Sequence, residues 1–192
     1  PLKWKASKRI FVNSMSDLFQ ETVPDEYILQ VADVMQSASQ HIFQVLTKRA
    51  SRMADLLNTK LSPFAKLKNI WWGVSVEDKR HGIPRIGELR RVPVATRFLS
   101  VEPLLEHLDL NLTGIHWVIV GGESGPNARK MERIWVESIR LQCSAAGVPF
   151  FFKQWGGVQK SRNGRMLNGR TYDEIPLIPV RTAKERMNIS SR

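Results

Sequence analysis

The chain has 192 residues, 42% of them hydrophobic and 24% charged, with a formal net charge of +11. That length suits one large domain with a sizeable core. No apolar run reaches the ~20 residues of a membrane span, and the first residues, PLKWKASKR, contain no apolar signal core. A single cysteine, Cys143, excludes an intrachain disulfide and any multi-cysteine metal site within these residues. The expected location is the cytoplasm, with no membrane partner.

The positive charge lies at the ends. Residues 1–9 net +4 and residues 157–192 net +5, leaving only +2 for the 147 residues between them. Basic ends are either solvated tails or an electrostatic clamp on a polyanion such as nucleic acid.

In chain order, the first predicted strand is RIFVN, 9–13, where Ile10, Phe11 and Val12 are continuous and apolar. A helix is expected from Pro24, with Asp25 and Glu26 at its positive end. Tyr27, Ile28, Val31, Val34 and Met35 recur at spacings of three and four, which predicts one buried face. A second strand is expected over Ile42–Leu46 and a second helix over Arg52–Leu61. A third strand, Asn69–Val76, precedes a helix over Pro84–Arg91.

Thr96–Val101 reads as the fourth strand. Between Glu102 and Ile115 there is room only for a short connection, at the low limit for a parallel crossover. The fifth strand lies within IHWVIVGGESG, 115–125, where Gly121 and Gly122 break an apolar run. A helix over Ile134–Ala146 should bury Trp135, Ile139 and Cys143 and stop at Gly147. Val148–Phe152 is the sixth strand. Beyond Gly157, two Asn-Gly pairs read as a hairpin or loop, and residues 181–192 as a frayed or helical solvated tail.

Six strands with mostly helical intervals predict an α/β fold with a parallel sheet, a repeat of architecture without residue-level likeness between the units. The expected organisation is a (β/α) barrel domain over 1–157 and a C-terminal hairpin, loop and basic tail over 158–192. Parallel strands deliver their C-terminal ends to one rim, where barrel and open α/β sites lie. That rim collects Asn13, Ser14, Ser16 and Asp17; Thr47, Lys48 and Arg49; Ser75, Glu77 and Asp78; Ser100 and Glu102; Gly121, Gly122, Glu123 and Ser124; Lys153 and Gln154.

The rim holds acids, hydroxyls, an amide and cations but no histidine. This disfavours a zinc hydrolase and a His-based triad. Asp17, Asp78 and Ser124 also suit helix caps or turns. Glycines at 121, 122 and 125 would let backbone N–H groups approach a ligand. Trp155 is the tryptophan best placed to stack on an adenine or a base. A Mg²⁺ site on the rim carboxylates has no spacing motif behind it.

The segments IFVNSMSDLF, HIFQVLTKR, WWGVSVED, FLSVEPLL, WVIVGGESGPNARKM and AGVPFFFKQWG resemble, in that order, a bacterial and phage family of unassigned function, the phage gp-thirty-seven-like family. The resemblance runs from about Lys8 to Pro176. That family looks like a divergent branch of the radical SAM superfamily. The resemblance therefore implies a partial (β/α)6 TIM-like barrel, incomplete at its N-terminal edge, that binds S-adenosylmethionine at the strand ends.

It also implies a [4Fe–4S] cluster, but only where an upstream cysteine-bearing segment is present, and a radical-type enzyme in the full-length protein. Under it, Asn13, Ser14, Ser75, Glu77, Ser100, Glu102, Gly121, Gly122 and Glu123 contact the cofactor, and Asp17, Lys153 and Gln154 face the unknown substrate. The open sheet edge would be covered by the basic termini, a partner or the missing segment. The rival expectation is a phage-derived protein that binds or modifies nucleic acid through its basic termini, Lys48, Arg49, Lys153 and Trp155.

Overall fold

The computed structural model describes residues 1–177, except Ser14, Gln159 and the side chains of Lys160 and Ser161. Ser14 and the expected tail over 181–192 lie outside the described residues. The strands are β1 (Arg9–Val12), β2 (Ile42–Thr47), β3 (Ile70–Ser75), β4 (Thr96–Val101), β5 (Trp117–Gly121) and β6 (Phe150–Gln154). They form one parallel sheet in sequential order. Helices α1 (Asp25–Ser37), α2 (Ala50–Asn58), α3 (Ser62–Ala65), α4 (Gly82–Arg90), α5 (Arg133–Ala146) and α6 (Lys160–Asn163) complete the chain. The sheet curls into a half-barrel flanked by helices, as the sequence predicts.

Strand alternation divides the apolar side chains into two layers. The larger lies between sheet and helices and includes Phe43, Val45, Trp72, Val74, Leu99, Val118 and Val120. The smaller lines the concave face, with Trp71, Phe98, Trp117 and Ile119. Trp71 and Trp117 meet edge to face at 5.7 Å. Burying each such aliphatic or aromatic side chain stabilises the fold by roughly 1.5–3 kcal/mol.

Helix α1 follows Pro24, which is extended at φ −62° and ψ 143°, and Asp25 and Glu26 occupy its first turn. Its buried residues are Ile28, Ala32 and Met35, a stripe at i, i+4 and i+7. Tyr27 and Val34, expected on that face, are exposed instead, because 100° per residue carries them to the flanks. Helix α5 buries Val136 along with Ile139 and Cys143. It ends at Gly147, whose left-handed φ of 65° lets its N–H return to the Cys143 and Ser144 carbonyls. The helix expected over Arg52–Leu61 is α2, which runs earlier, from Ala50 to Asn58, and the short α3 begins only at Ser62.

The link from β4 to β5 contains no helix. Leu104, Leu108, Leu110 and Leu112 are buried from an irregular chain. Gln142 of α5 supplies the hydrogen bonds a helix would have made for itself. It accepts from the Leu110 N–H at 2.7 Å and donates to the Leu108 carbonyl at 2.9 Å.

The two sheet edges differ. The outer edge of β6 is capped by residues 172–174: Phe152 N–H donates to the Tyr172 carbonyl at 2.9 Å, and Phe150 N–H to the Glu174 carboxylate at 3.0 Å. Trp117 Nε1 donates to the Glu174 carbonyl at 2.8 Å. Beyond Gly157 the chain forms α6, then a tight Leu167–Arg170 turn, and sets Leu167 and Tyr172 into the core. The outer edge of β1 pairs with no strand among the described residues.

Candidate functional site

All six strand ends open on one side. At the end of β1, Asn13 takes a left-handed φ of 56° and its carbonyl accepts the Ser16 N–H, turning the chain back across the rim. This delivers Asp17 to the end of β2. Asp17 Oδ1 accepts from Thr47 Oγ1 at 2.7 Å and from Phe19 N–H at 2.9 Å. Its Oδ2 accepts from Lys48 N–H at 3.0 Å and from Arg49 Nη1 at 3.1 Å. Burial alone would raise this carboxyl, but the four donors outweigh it and hold the pKa below the ordinary carboxylate value. Asp17 thus ties the first two loops together.

Glu77, past β3, is buried. One oxygen meets Lys48 Nζ and the other accepts Arg85 Nη1 at 2.6 Å. Here too burial pushes the pKa up, and the Lys48 and Arg85 bonds bring it down further than that. Arg85 also donates to the Ser75 carbonyl at 2.8 Å, fixing α4 to the end of β3. Ser75 and Ser100 are buried and paired in register. They share faces with Trp71 and Phe98, so they form a polar layer above the concave aromatic layer.

The far half of the rim centres on Glu102. Its Oε2 accepts from Lys153 Nζ at 2.7 Å. Its Oε1 is buried and has no hydrogen-bond partner among the described residues. That carboxylate lies against Gly121, where a Cβ would come 3.0 Å from Oε1. Gly122 serves chain packing: a Cβ there would stand 2.0 Å from the Trp155 carbonyl oxygen, and its N–H donates to the Gln154 carbonyl at 3.0 Å.

Gln154 Nε2 donates to Ser124 Oγ at 2.8 Å. Glu123 is clamped by the Arg129 side chain, at 2.8 Å to each oxygen, and by the Arg129 N–H at 2.9 Å. Those bonds lower its pKa to about 2. Trp155 is half-buried, edge-on to Phe152 at 4.9 Å, with its indole N–H on the Met166 carbonyl. Asp78 caps α4, accepting the His81 and Gly82 N–H groups.

A cavity of about 690 Å³ opens between the ends of β1, β2 and β3. Phe11 and Leu46 give it an apolar floor, and Asn13, Asp17, Lys48 and Ser75 line its polar wall. The expected site residues therefore form two groups. Asn13, Asp17, Ser75 and Glu77 surround or support the cavity. Glu102 touches both Gly121 and Lys153 beyond it, with Gly122, Glu123 and Gln154 following on the same rim. Arg85 is absent from the sequence reading. Its one trace there is a cation beside the apolar residues Ile83, Ile86 and Leu89 of α4.

Among the described residues, no three His, Cys, Asp or Glu side chains are gathered as a metal-binding set. No helix among them is long and apolar enough to cross a membrane. Over residues 1–176 the sequence matches the family described as Protein of unknown function (DUF5131). The chain belongs to that family. No curated protein and no solved structure matches it.

Proposed function

We propose that the strand-end rim binds S-adenosylmethionine, in the manner of a radical SAM-like barrel module, and that it does so in the cytoplasm. The observation that carries this reading is the buried, unpartnered Oε1 of Glu102. A buried carboxylate oxygen without a donor is destabilising until a ligand N–H or O–H reaches it. An ammonium or a ribose hydroxyl supplies that donor, while Lys153 occupies Oε2.

The cavity beside Ser75 is within the range of small-molecule pockets. Lys48, in the wall of that cavity, is already paired with Glu77. The resemblance to the phage gp-thirty-seven-like family and to radical SAM barrels is what selects this ligand among small zwitterions.

The residues present do not fit a [4Fe–4S] cluster. Cys143 is buried in α5, and burial pushes its thiol up to about 12, away from the thiolate that iron requires. The role assigned to this chain is therefore ligand binding alone.

The rim cations are paired within the rim: Lys48 with Glu77, Arg49 with Asp17 and Lys153 with Glu102. A polyanion finds little free charge there, so nucleic-acid binding is assigned to another face. Titration calorimetry with S-adenosylmethionine tests the proposal. Saturable one-to-one binding that Glu102→Gln weakens at least tenfold is expected. No heat at millimolar ligand, or binding indifferent to Glu102→Gln, overturns it.

A further inference from the structure

The face opposite the rim, where β1, β2 and β3 begin, carries charge that the fold does not use. Lys3, Lys5, Lys8, Arg9, Lys66 and Lys68 are all exposed. Among the described residues, none has a carboxylate within 4.0 Å, in contrast to the paired cations of the rim. Residues 1–16 and 56–76 contain no acidic residue at all.

The sheet brings these cations together. Ile42 N–H donates to the Lys8 carbonyl and Phe43 N–H to the Asn69 carbonyl, both at 2.8 Å. Lys8 and Lys68 therefore stand at strand starts only two strand spacings apart, about 10 Å.

The first eight residues are held in place there. His41 is fully buried. Its Nδ1 accepts the Lys8 N–H at 3.2 Å, which leaves the proton on Nε2 to donate to the Pro1 carbonyl at 3.0 Å. Gln40 Nε2 donates to the Trp4 carbonyl at 3.2 Å. These bonds present the indole of Trp4, which is 47% exposed, with the Lys8 ammonium over the ring at 5.0 Å and the His41 ring at its edge. An exposed indole fixed among unpaired cations combines the two elements of single-strand recognition: a stacking platform and a phosphate track.

We propose that this face binds single-stranded nucleic acid, with a base stacked on Trp4 and the phosphodiester chain running past Lys8 and Arg9 toward Lys66 and Lys68. The inference is independent of any ligand on the rim.

The test is fluorescence anisotropy on the full chain, using labelled oligothymidylate and oligouridylate of about 15 nucleotides. With six phosphate contacts the slope of log K against log salt is about −4. Lys66→Gln with Lys68→Gln should flatten it by about 1.4, since each lost single-strand phosphate contact removes roughly 0.7.

Trp4→Ala should weaken binding roughly tenfold to a hundredfold while leaving the slope nearly unchanged. Lys79→Gln and Lys130→Gln, exposed cations on the other side, should change neither. A preference between the two oligomers identifies DNA or RNA as the partner. Equal affinity for duplex, affinity insensitive to salt, or binding that survives both the Trp4 and the Lys66/Lys68 changes overturns the proposal; the last would place the contact in residues beyond 177.

Discussion

Replacing Glu77 by Gln tests whether the rim is held by buried charge. The Glu77 side chain is 8% exposed and Arg85 17%, so the pair is largely out of water, whereas Lys48 on the other oxygen is 52% exposed. Removing one partner of a buried pair strands the other, a loss of about 3–5 kcal/mol. The half-exposed Lys48 contact adds at most about 1 kcal/mol. Gln retains one acceptor for Arg85, which places the expected loss near the lower end, about 3 kcal/mol. For a chain of this size that lowers the melting temperature by roughly 6–12 °C.

The pH dependence has a definite sign. Glu77 has a folded pKa below its ordinary 4.5, so its contribution is complete above that value and is lost as pH falls through the folded pKa. Urea unfolding followed by tryptophan fluorescence at neutral pH and again in acid should therefore show a wide gap between wild type and Glu77→Gln that closes on acidification. Glu77→Met combined with Arg85→Met should recover much of the loss, because neither charge is then left buried alone. A single variant within about 0.5 kcal/mol of wild type, or a gap that does not narrow in acid, would refute the reasoning.

Two further outcomes are expected. Carboxyl NMR should find Glu123 titrating at about 2, and Arg129→Ala should return it toward the ordinary range, since Arg129 is the source of the shift; a Glu123 pKa near 4.5 in the intact protein would contradict the clamp. Cys143, with its thiol at about 12, should resist a thiol reagent at pH 8 in the folded protein and react at once in denaturant; rapid labelling of the native chain would show that α5 does not bury it.

How much of this was legible in the sequence follows from the range of the forces involved. The strands were, because β2, β3 and β5 are buried nearly throughout and so read as continuous apolar runs. Together with the shorter apolar runs of β1, β4 and β6, they predict the parallel sheet and its shared rim, and with them the positions of Glu77, Glu102 and Lys153. The helix-free link after β4 was not legible in detail. Its leucines at 108, 110 and 112 alternate with a strand's period although no strand forms there, and the Gln142 that stabilises the link lies about 30 residues further on.

Side-chain partners across loops were invisible for the same reason. Lys48 and Glu77 stand 29 positions apart, and Glu102 and Lys153 51 apart. Nothing local marks either as a pair. The pairing changes what the rim residues do. Read singly, Asp17, Glu77 and Lys153 are candidates for moving protons or gripping a substrate. In the fold each is committed to a neighbour, and both carboxylates are held below their ordinary pKa, Asp17 by the Thr47 hydroxyl, the Lys48 and Phe19 N–H groups and Arg49, and Glu77 by Lys48 and Arg85. Such carboxylates orient and preorganise; they do not exchange protons near neutrality. What the rim leaves without a partner is one buried oxygen of Glu102, and the chemistry of a ligand that reaches it is set by its need for a donor.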